Sequence, residues 1–223
     1  MTRHLQRGLD RLKKRILSLG AMVEERVRMA MKAVETRDGQ LAQKILNMDH
    51  EIDEAEVEIE EECLKILALH QPVAVDLRFL SAVIKINNDL ERIGDEAVNI
   101  AERVLIISKW EKLEIPFDCS LMAEKTASML KKSLDAVVNR DLDGAVNVCI
   151  SDDEVDDLQN EAYDVIKQAI KDTPDRVGYL INLLLISRHL ERIADHTTNI
   201  AEEVVYMIEG EIVRHRRLAT EKE

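Results

Sequence analysis

The sequence is poor in the residues that interrupt helices and in those that build sheets. Of its 223 residues only seven are glycine and three are proline, and aromatic residues make up 3%. Sheets favour aromatic and β-branched residues and need frequent turns, so this composition argues against them. Leu, Ile, Val, Ala, Glu and Lys dominate instead. We therefore expect an all-α fold with long helices.

Cysteines and long apolar runs are also scarce. The three cysteines, Cys63, Cys119 and Cys149, are widely spaced and form no Cys-x-x-Cys pair, which predicts neither a disulfide framework nor a zinc site. The apolar run from Tyr179 to Ile186 is too short to span a bilayer. The N-terminus is a charged amphipathic stretch rather than a signal peptide. We expect a soluble, cytoplasmic protein in a reducing compartment.

The charge is strongly negative but unevenly distributed. The 31 basic and 44 acidic residues give a formal net charge of −13, which argues against nucleic-acid binding because that function needs a basic stripe. Residues 3–15 and 214–217 are nevertheless locally basic. These stretches are either solvated helix ends or surfaces that face an anionic partner or a membrane.

Apolar periodicity between a few breaking residues predicts six helices. The segment from Glu114 to Asp118, which contains Pro116, is the best linker between two halves. The predicted helices cover approximately residues 5–36, 40–69, 76–109, 121–139, 143–171 and 176–209.

The breaking residues and one longer motif recur in the same order in both halves. Arg37-Asp38 recurs 103 residues later, Pro72 recurs 102 residues later, and the motif at 90–102 recurs 100 residues later. Nine of its thirteen positions are identical, in the pattern Leu-Glu-Arg-Ile-x-Asp-x-x-x-Asn-Ile-Ala-Glu. The period is too long for a solenoid repeat. We predict two tandem-duplicated three-helix bundles, over residues 1–112 and 117–213.

Both motif helices carry an apolar seam whose steps alternate between three and four residues. Such a seven-residue pattern packs helices at small crossing angles and predicts antiparallel bundles. The pattern leaves open whether the two units stack end to end or side by side. The seam of the third helix consists of Ile86, Leu90, Ile93, Ala97, Ile100, Val104 and Ile107.

Two pairs of carboxylates lie beside these seams, and two matching pairs lie on the second and fifth predicted helices. The members of each pair are four residues apart and so lie on one helix face. The pairs are Glu91 with Asp95, Glu191 with Asp195, Asp49 with Asp53, and Asp152 with Asp156. In an antiparallel bundle, pairs on neighbouring helices would face each other, so four carboxylates would converge in each unit. Such clusters suit hard cations such as Mg²⁺, Ca²⁺, Mn²⁺ or iron.

Plainer interpretations of the acidic pairs stay open. Spaced carboxylates are common on solvated helix faces, Arg92 and Arg192 would pair with nearby carboxylates, and a duplication copies residues whether or not they have a function. Further ligand candidates on or near the same faces are Asn99, Asn199, Glu102 and Glu202, with His50 and His189 weaker candidates.

No catalytic signature is present in the sequence. It contains no Gly-rich phosphate loop, no Gly-x-Ser-x-Gly and no His-Glu-x-x-His. A carboxylate-rich bundle that acts as a metal store or oxidase is the alternative function, but a di-metal oxidase needs Glu-x-x-His motifs, and none occurs at the repeat-related positions. We do not expect an enzyme.

The duplicated Glu-x-x-x-Asp motif resembles the signature of the PhoU family. It reads Glu91-Arg92-Ile93-Gly94-Asp95 in the first half and Glu191-Arg192-Ile193-Ala194-Asp195 in the second. The resemblance extends to the chain length, the two three-helix repeats, their breaks and the last helix with Gly210.

The resemblance implies regulation rather than catalysis. PhoU-like proteins are cytoplasmic adaptors between the ATPase subunit of the phosphate ABC transporter and a sensor histidine kinase, and they restrain phosphate uptake and the phosphate-starvation response. Homodimers are common in the family, and contact with the membrane would be indirect, through partners. Some members hold multinuclear iron or zinc clusters on the acidic motifs. Carried over, the metal ligands would be Glu91, Asp95, Glu191, Asp195, Asp53 and Asp156, with Asp49 and Asp152 completing the sites.

Overall fold

The computed structural model describes residues 3–111 and 115–213, and within these ranges the regular structure is entirely helical. The all-α prediction of six helices is confirmed, with the second helix divided in two by a short turn. The helices of the described residues are α1 Arg3–Thr36, α2 Gly39–Asn47, α3 His50–His70, α4 Val75–Ile107, α5 Cys119–Asn139, α6 Leu142–Asp172 and α7 Val177–Glu209, with a short 3₁₀ helix at Pro174–Arg176 before α7.

The repeated Arg-Asp dipeptide ends one helix and begins the next in both halves. Arg37 and Arg140 adopt left-handed backbone angles, with φ of 54° and 51°, and this conformation stops a helix. The following aspartates cap the next helix, because Asp38 accepts hydrogen bonds from the amides of α2 and Asp141 accepts one from Gly144. The dipeptide therefore marks the same corner in each repeat.

The division between α2 and α3 has a cause in α1. The Arg26 side chain is 2% exposed, and its guanidinium donates to the Met48 carbonyl at 2.8 Å and lies 3.2 Å from Glu51. At this point the backbone hydrogen bonds join residues three apart instead of four apart, and one example is Glu51 N to Met48 O. At the offset of the repeat, Met129 replaces Arg26, and the corresponding helix α6 is continuous.

Within the first repeat, α3 runs antiparallel to both α1 and α4, and in the second repeat α5, α6 and α7 pack against one another. Ion pairs between α1 and α3 join Arg11 to Glu62 and Arg15 to Glu58, so the start of α1 lies beside the end of α3. The Asn87 side chain of α4 donates to the Glu56 carbonyl of α3 at 2.9 Å. Each unit is thus a three-helix bundle of the predicted kind.

The two repeats lie side by side because α4 and α7 pack against each other along their length in antiparallel orientation. Lys85 near the start of α4 contacts Glu203 near the end of α7 at 3.0 Å. Every predicted seam position of α4 is at most 1% exposed, so the seam prediction is confirmed. Burying each such Leu or Ile contributes about 1.5–3 kcal/mol, which makes this pair of helices the centre of the core.

The remaining predictions about organisation have mixed outcomes. All three cysteines are free, and in the parts of the chain that the structure describes no helix has the length and apolar character of a bilayer span. Residues 115–118 are non-helical, while residue 114 of the predicted linker and the basic stretch 214–217 lie outside the described residues. The domain limits 1–112 and 117–213 therefore stay a prediction.

Arg26 should be a major contributor to stability because it is buried and satisfies the turn that carries Asp49. We expect Arg26→Ala to lower the free energy of unfolding by about 3 kcal/mol, since it leaves buried acceptors unpaired and opens a cavity. Urea unfolding followed by circular dichroism measures this. Arg28→Ala, which removes an exposed arginine from the same helix, should change little. Equal effects of the two substitutions would contradict the role of Arg26.

Candidate functional site

The first acidic cluster joins the start of α3 to the middle of α4. Asp49 lies in the turn before α3, Asp53 lies in its first turn, and Asp95 lies on α4. One carboxylate oxygen from each residue lies within 4.8 Å of the others. Because hard divalent cations bind carboxylate oxygens at about 2.0–2.6 Å, one ion between the three side chains would reach all of them.

Glu91 adds a fourth carboxylate one helical turn before Asp95. Burial, followed by the charge of Asp95, raises the pKa of Glu91 above its ordinary value. Burial and the charges of Asp49 and Asp53 likewise raise the pKa of Asp95. Three of the four predicted carboxylates, Asp49, Asp53 and Asp95, therefore converge in the first unit, with Glu91 one helical turn away. The raised pKa of Glu91 and Asp95 reflects negative charges that are close together and partly shielded from water.

The second cluster has the same composition in α6 and α7. Burial, followed by the charges of Asp156 and Asp195, raises the pKa of Asp152 to about 7. Burial and the charges of Asp195 and Asp156 raise the pKa of Glu191. One carboxylate oxygen of Asp152 is buried with no hydrogen-bond partner in the described residues. These four carboxylates also face one another across an antiparallel helix pair.

The two clusters are related by the duplication but are not equivalent. Asp49 belongs to a turn, whereas its counterpart Asp152 lies inside the continuous helix α6. The second site also has sulfur and nitrogen groups nearby, because Cys149 interacts electrostatically with Asp152 and His196 lines a cavity with Asp152 and Asp195. Among the described residues, the compact arrangement of three ligand atoms occurs only in the first cluster.

Two histidine–carboxylate pairs flank the clusters at the contact between α4 and α7. His189 Nδ1 lies 2.6 Å from Glu96, and His196 Nδ1 lies 2.9 Å from Asp89. Positions 89 and 189, and positions 96 and 196, are equivalent in the duplication. Each histidine of the second repeat therefore pairs with a carboxylate of the first. The helix pattern did not reveal these pairs, because each partner lies on the other repeat.

The arginines of the two motifs differ in their contacts. Arg92 lies 3.8 Å from Glu91 at the exposed edge of the first cluster. Arg192 instead reaches across to the first repeat and lies 3.0 Å from Glu96. Although burial opposes the effect, the hydrogen bond from His189 and the charge of Arg192 lower the pKa of Glu96. Both motif arginines therefore pair with nearby carboxylates, as the plainer interpretation expects. Arg92 pairs within its own motif and Arg192 pairs with the other repeat.

Three of the six further ligand candidates, Asn99, Asn199 and His189, take part in these flanking contacts. Asn99 donates to Glu96 at 3.3 Å and Asn199 donates to Asp89 at 3.2 Å, so both amides are bonded outside the clusters. His189 is likewise bonded to Glu96. The chemistry that remains in each cluster is that of converging carboxylates, a donor set that fits hard cations.

The buried carboxylate of Asp152 predicts a pH-dependent stability of the metal-free protein. Its pKa rises on folding from 3.8 to about 7, so the folded state is stabilised in acid and loses this stability as pH rises through 7. Compared with the wild type, Asp152→Asn should be about 1–2 kcal/mol more stable at pH 8, a figure reduced for partial exposure, and equally stable near pH 4. Chelator-treated protein unfolded in urea at both pH values tests this. The control is Asp164→Asn, an exposed position of α6, and a pH-independent difference would contradict the prediction.

Comparison with known proteins gives matches over nearly the whole chain. The PhoU domain model matches residues 16–104 and 119–204. The chain is 37% identical to the phosphate-specific transport system accessory protein PhoU homolog of Clostridium acetobutylicum, over 96% of this chain and 98% of that protein. It is 34% identical to the homolog of Aquifex aeolicus, over 96% and 97% of the two chains.

Solved structures agree with this result. The crystal structure of PhoU from Pseudomonas aeruginosa superposes with a TM-score of 0.89 at 33% identity, over 92% of this chain and 99% of that one. The phosphate transport system regulatory protein PhoU from Streptococcus pneumoniae superposes with a TM-score of 0.84 at 32% identity, over 94% and 99%. Two matching domains, full-length relatives and the same helical architecture lead to one conclusion: the chain belongs to the PhoU family.

Proposed function

We propose that this protein is an accessory regulator of phosphate transport that restrains phosphate uptake and the phosphate-starvation response. The observation that carries the proposal is the full-length match to proteins named as phosphate-specific transport system accessory proteins. The matched residues 16–104 and 119–204 span both acidic motifs, and the overall helical architecture is shared with a solved structure.

The proposed mode of action is that of a cytoplasmic adaptor. The protein would contact the ATPase subunit of the phosphate ABC transporter and a sensor histidine kinase, and would act as a homodimer. Two features support this role. The paired repeats present two related acidic surfaces, and the clusters consist of carboxylates without an adjacent nucleophile of lowered pKa, since the pKa of Cys149 is raised to about 12.

We propose that both acidic clusters bind metal ions. Asp49, Asp53, Glu91 and Asp95 would hold the first site, and Asp152, Asp156, Glu191 and Asp195 the second. Converging carboxylates suit iron, Mg²⁺, Mn²⁺ or Ca²⁺, and zinc also accepts carboxylate oxygens. A bound cation would supply open coordination positions for phosphate or for a partner's carboxylate. The protein's part is to hold the carboxylates in place, which makes each site a recognition surface.

The alternative of a metal store or oxidase finds no comparable support. Two of the described histidines near the clusters, His189 and His196, are bonded to Glu96 and Asp89. Neither histidine belongs to a Glu-x-x-His motif, which di-metal oxidases of helical bundles use.

The regulatory role predicts a defined phenotype. Deleting the gene in its own host should switch on phosphate-starvation genes in phosphate-rich medium, and the wild-type gene supplied from a plasmid should restore repression. A reporter of a starvation promoter measures this. The purified protein should also retain the transporter ATPase subunit in a pull-down. Normal repression in the deletion strain would contradict the proposed function.

Metal binding predicts a loss of bound metal when the first cluster is altered. Protein purified without chelator should contain metal, and Asp53→Asn combined with Asp95→Asn should remove the share bound at the first cluster. Elemental analysis by mass spectrometry measures this. The control removes two exposed carboxylates from α6, with Glu161→Gln and Asp164→Asn. Equal metal content in all three proteins would contradict the assignment.

A further inference from the structure

A cleft with a basic rim lies between the start of α1 and the end of α3. It is at the opposite end of α3 from the first acidic cluster. Its volume is about 380 Å³, within the range of small-molecule sites. The rim carries His4, Arg7 and Arg11 from α1 with Lys65 and His70 from α3. Glu62 is the single carboxylate among the described residues that line it.

The cleft interrupts a regular series of ion pairs between α1 and α3. Going from the middle of the helices towards this end, Arg15 pairs with Glu58 and Arg11 pairs with Glu62. One helical turn further along, Arg7 of α1 and Lys65 of α3, both cations, line the cleft together. Within the described parts of the chain, no carboxylate lies within ion-pair distance of Arg7 or Lys65. Cations in one cleft repel each other, and a bound anion would offset that repulsion.

The charge of the cleft is opposite to that of the protein as a whole. Arg7, Arg11 and Lys65 against Glu62 leave two positive charges in the lining with neutral histidines, on a chain of net charge −13. The helix dipoles favour neither anions nor cations here. The start of α1, which is partially positive, lies beside the end of α3, which is partially negative, so the two partial charges offset each other. The side chains therefore set a local preference for anions.

The floor of the cleft is apolar. Gly8 and Ile66 are buried, and a Cβ at Gly8 would come within 3.3 Å of the Ile66 side chain, so glycine allows the two helices to approach closely here. Leu69 beside them is 67% exposed. An apolar floor under a cationic rim suits a ligand that has an anionic group and an apolar body.

We infer that this cleft binds a small phosphate monoester whose body has an apolar face, and a nucleoside monophosphate with its planar base is one example. Arg7, Arg11 and Lys65 donate to the phosphate oxygens, since guanidinium and ammonium groups form strong charge-assisted hydrogen bonds with phosphate. The apolar face of the ligand packs against Ile66 and Leu69. The inference depends only on the cleft, and it holds or fails independently of the acidic clusters and of the proposed function.

Isothermal titration calorimetry of the full-length protein with AMP tests the inference. We expect saturable binding of one AMP per chain, weaker binding of inorganic phosphate and no binding of adenosine. Arg7→Ala combined with Lys65→Ala should weaken AMP binding by about tenfold or more, because two of the three charged donors are lost. Lys131→Ala combined with Lys132→Ala, which removes two exposed lysines from α5, makes the same change in net charge and should leave the affinity unchanged.

A second variant tests the apolar floor without altering the cations. Leu69→Glu changes an exposed side chain, so it should fold normally, as circular dichroism would check, and yet abolish AMP binding. No binding of AMP to the wild type at millimolar concentration would overturn the inference. So would equal losses in the two lysine-containing double variants, or binding to phosphatidylglycerol vesicles in the absence of AMP binding, which would indicate a membrane surface instead of a small-molecule site.

Discussion

The antiparallel packing of α4 against α7 determines where the carboxylates of the two acidic motifs lie. Their apolar seams are buried almost completely, and this burial fixes the rotation of both helices about their axes. Because Glu91 and Asp95 are one turn apart beside the seam, they are directed towards α3 and not into the core. The equivalent residues of α7 are directed towards α6 for the same reason.

The acidic clusters concentrate like charge where water is partly excluded, and both effects oppose folding. Burial is the first cause of the raised pKa of Asp49, Asp95, Asp152 and Asp195, and neighbouring carboxylates add to it. The apolar contacts of the long helices hold these groups together despite that cost. Sites that bind charged ligands often have such a local instability, because the ligand relieves it.

The contact between α1 and α3 shows the opposite arrangement of charge. Arginines of α1 form ion pairs with glutamates of α3, and buried Arg26 extends this series to Glu51. Arg26 also stabilises the turn that carries Asp49, so the stability of α1 and the geometry of the first cluster are linked. The cationic cleft at the other end departs from this series, and the departure makes it notable in an acidic protein.

The sequence by itself determined the all-α class, most helix ends and the four carboxylate pairs, because these depend on residue spacing within one helix or one turn. It also determined the duplication, because the two halves of the chain can be compared directly. Even the repeated Arg-Asp acts locally, as a left-handed residue followed by a cap. Only the tertiary structure decided the side-by-side packing of the repeats, the turn at Asp49, the pairing of His189 with Glu96 and the grouping of Arg7 and Lys65 in one cleft. These features join residues that are distant in the chain, and helix periodicity shows which face of a helix is buried but not which other helix covers it.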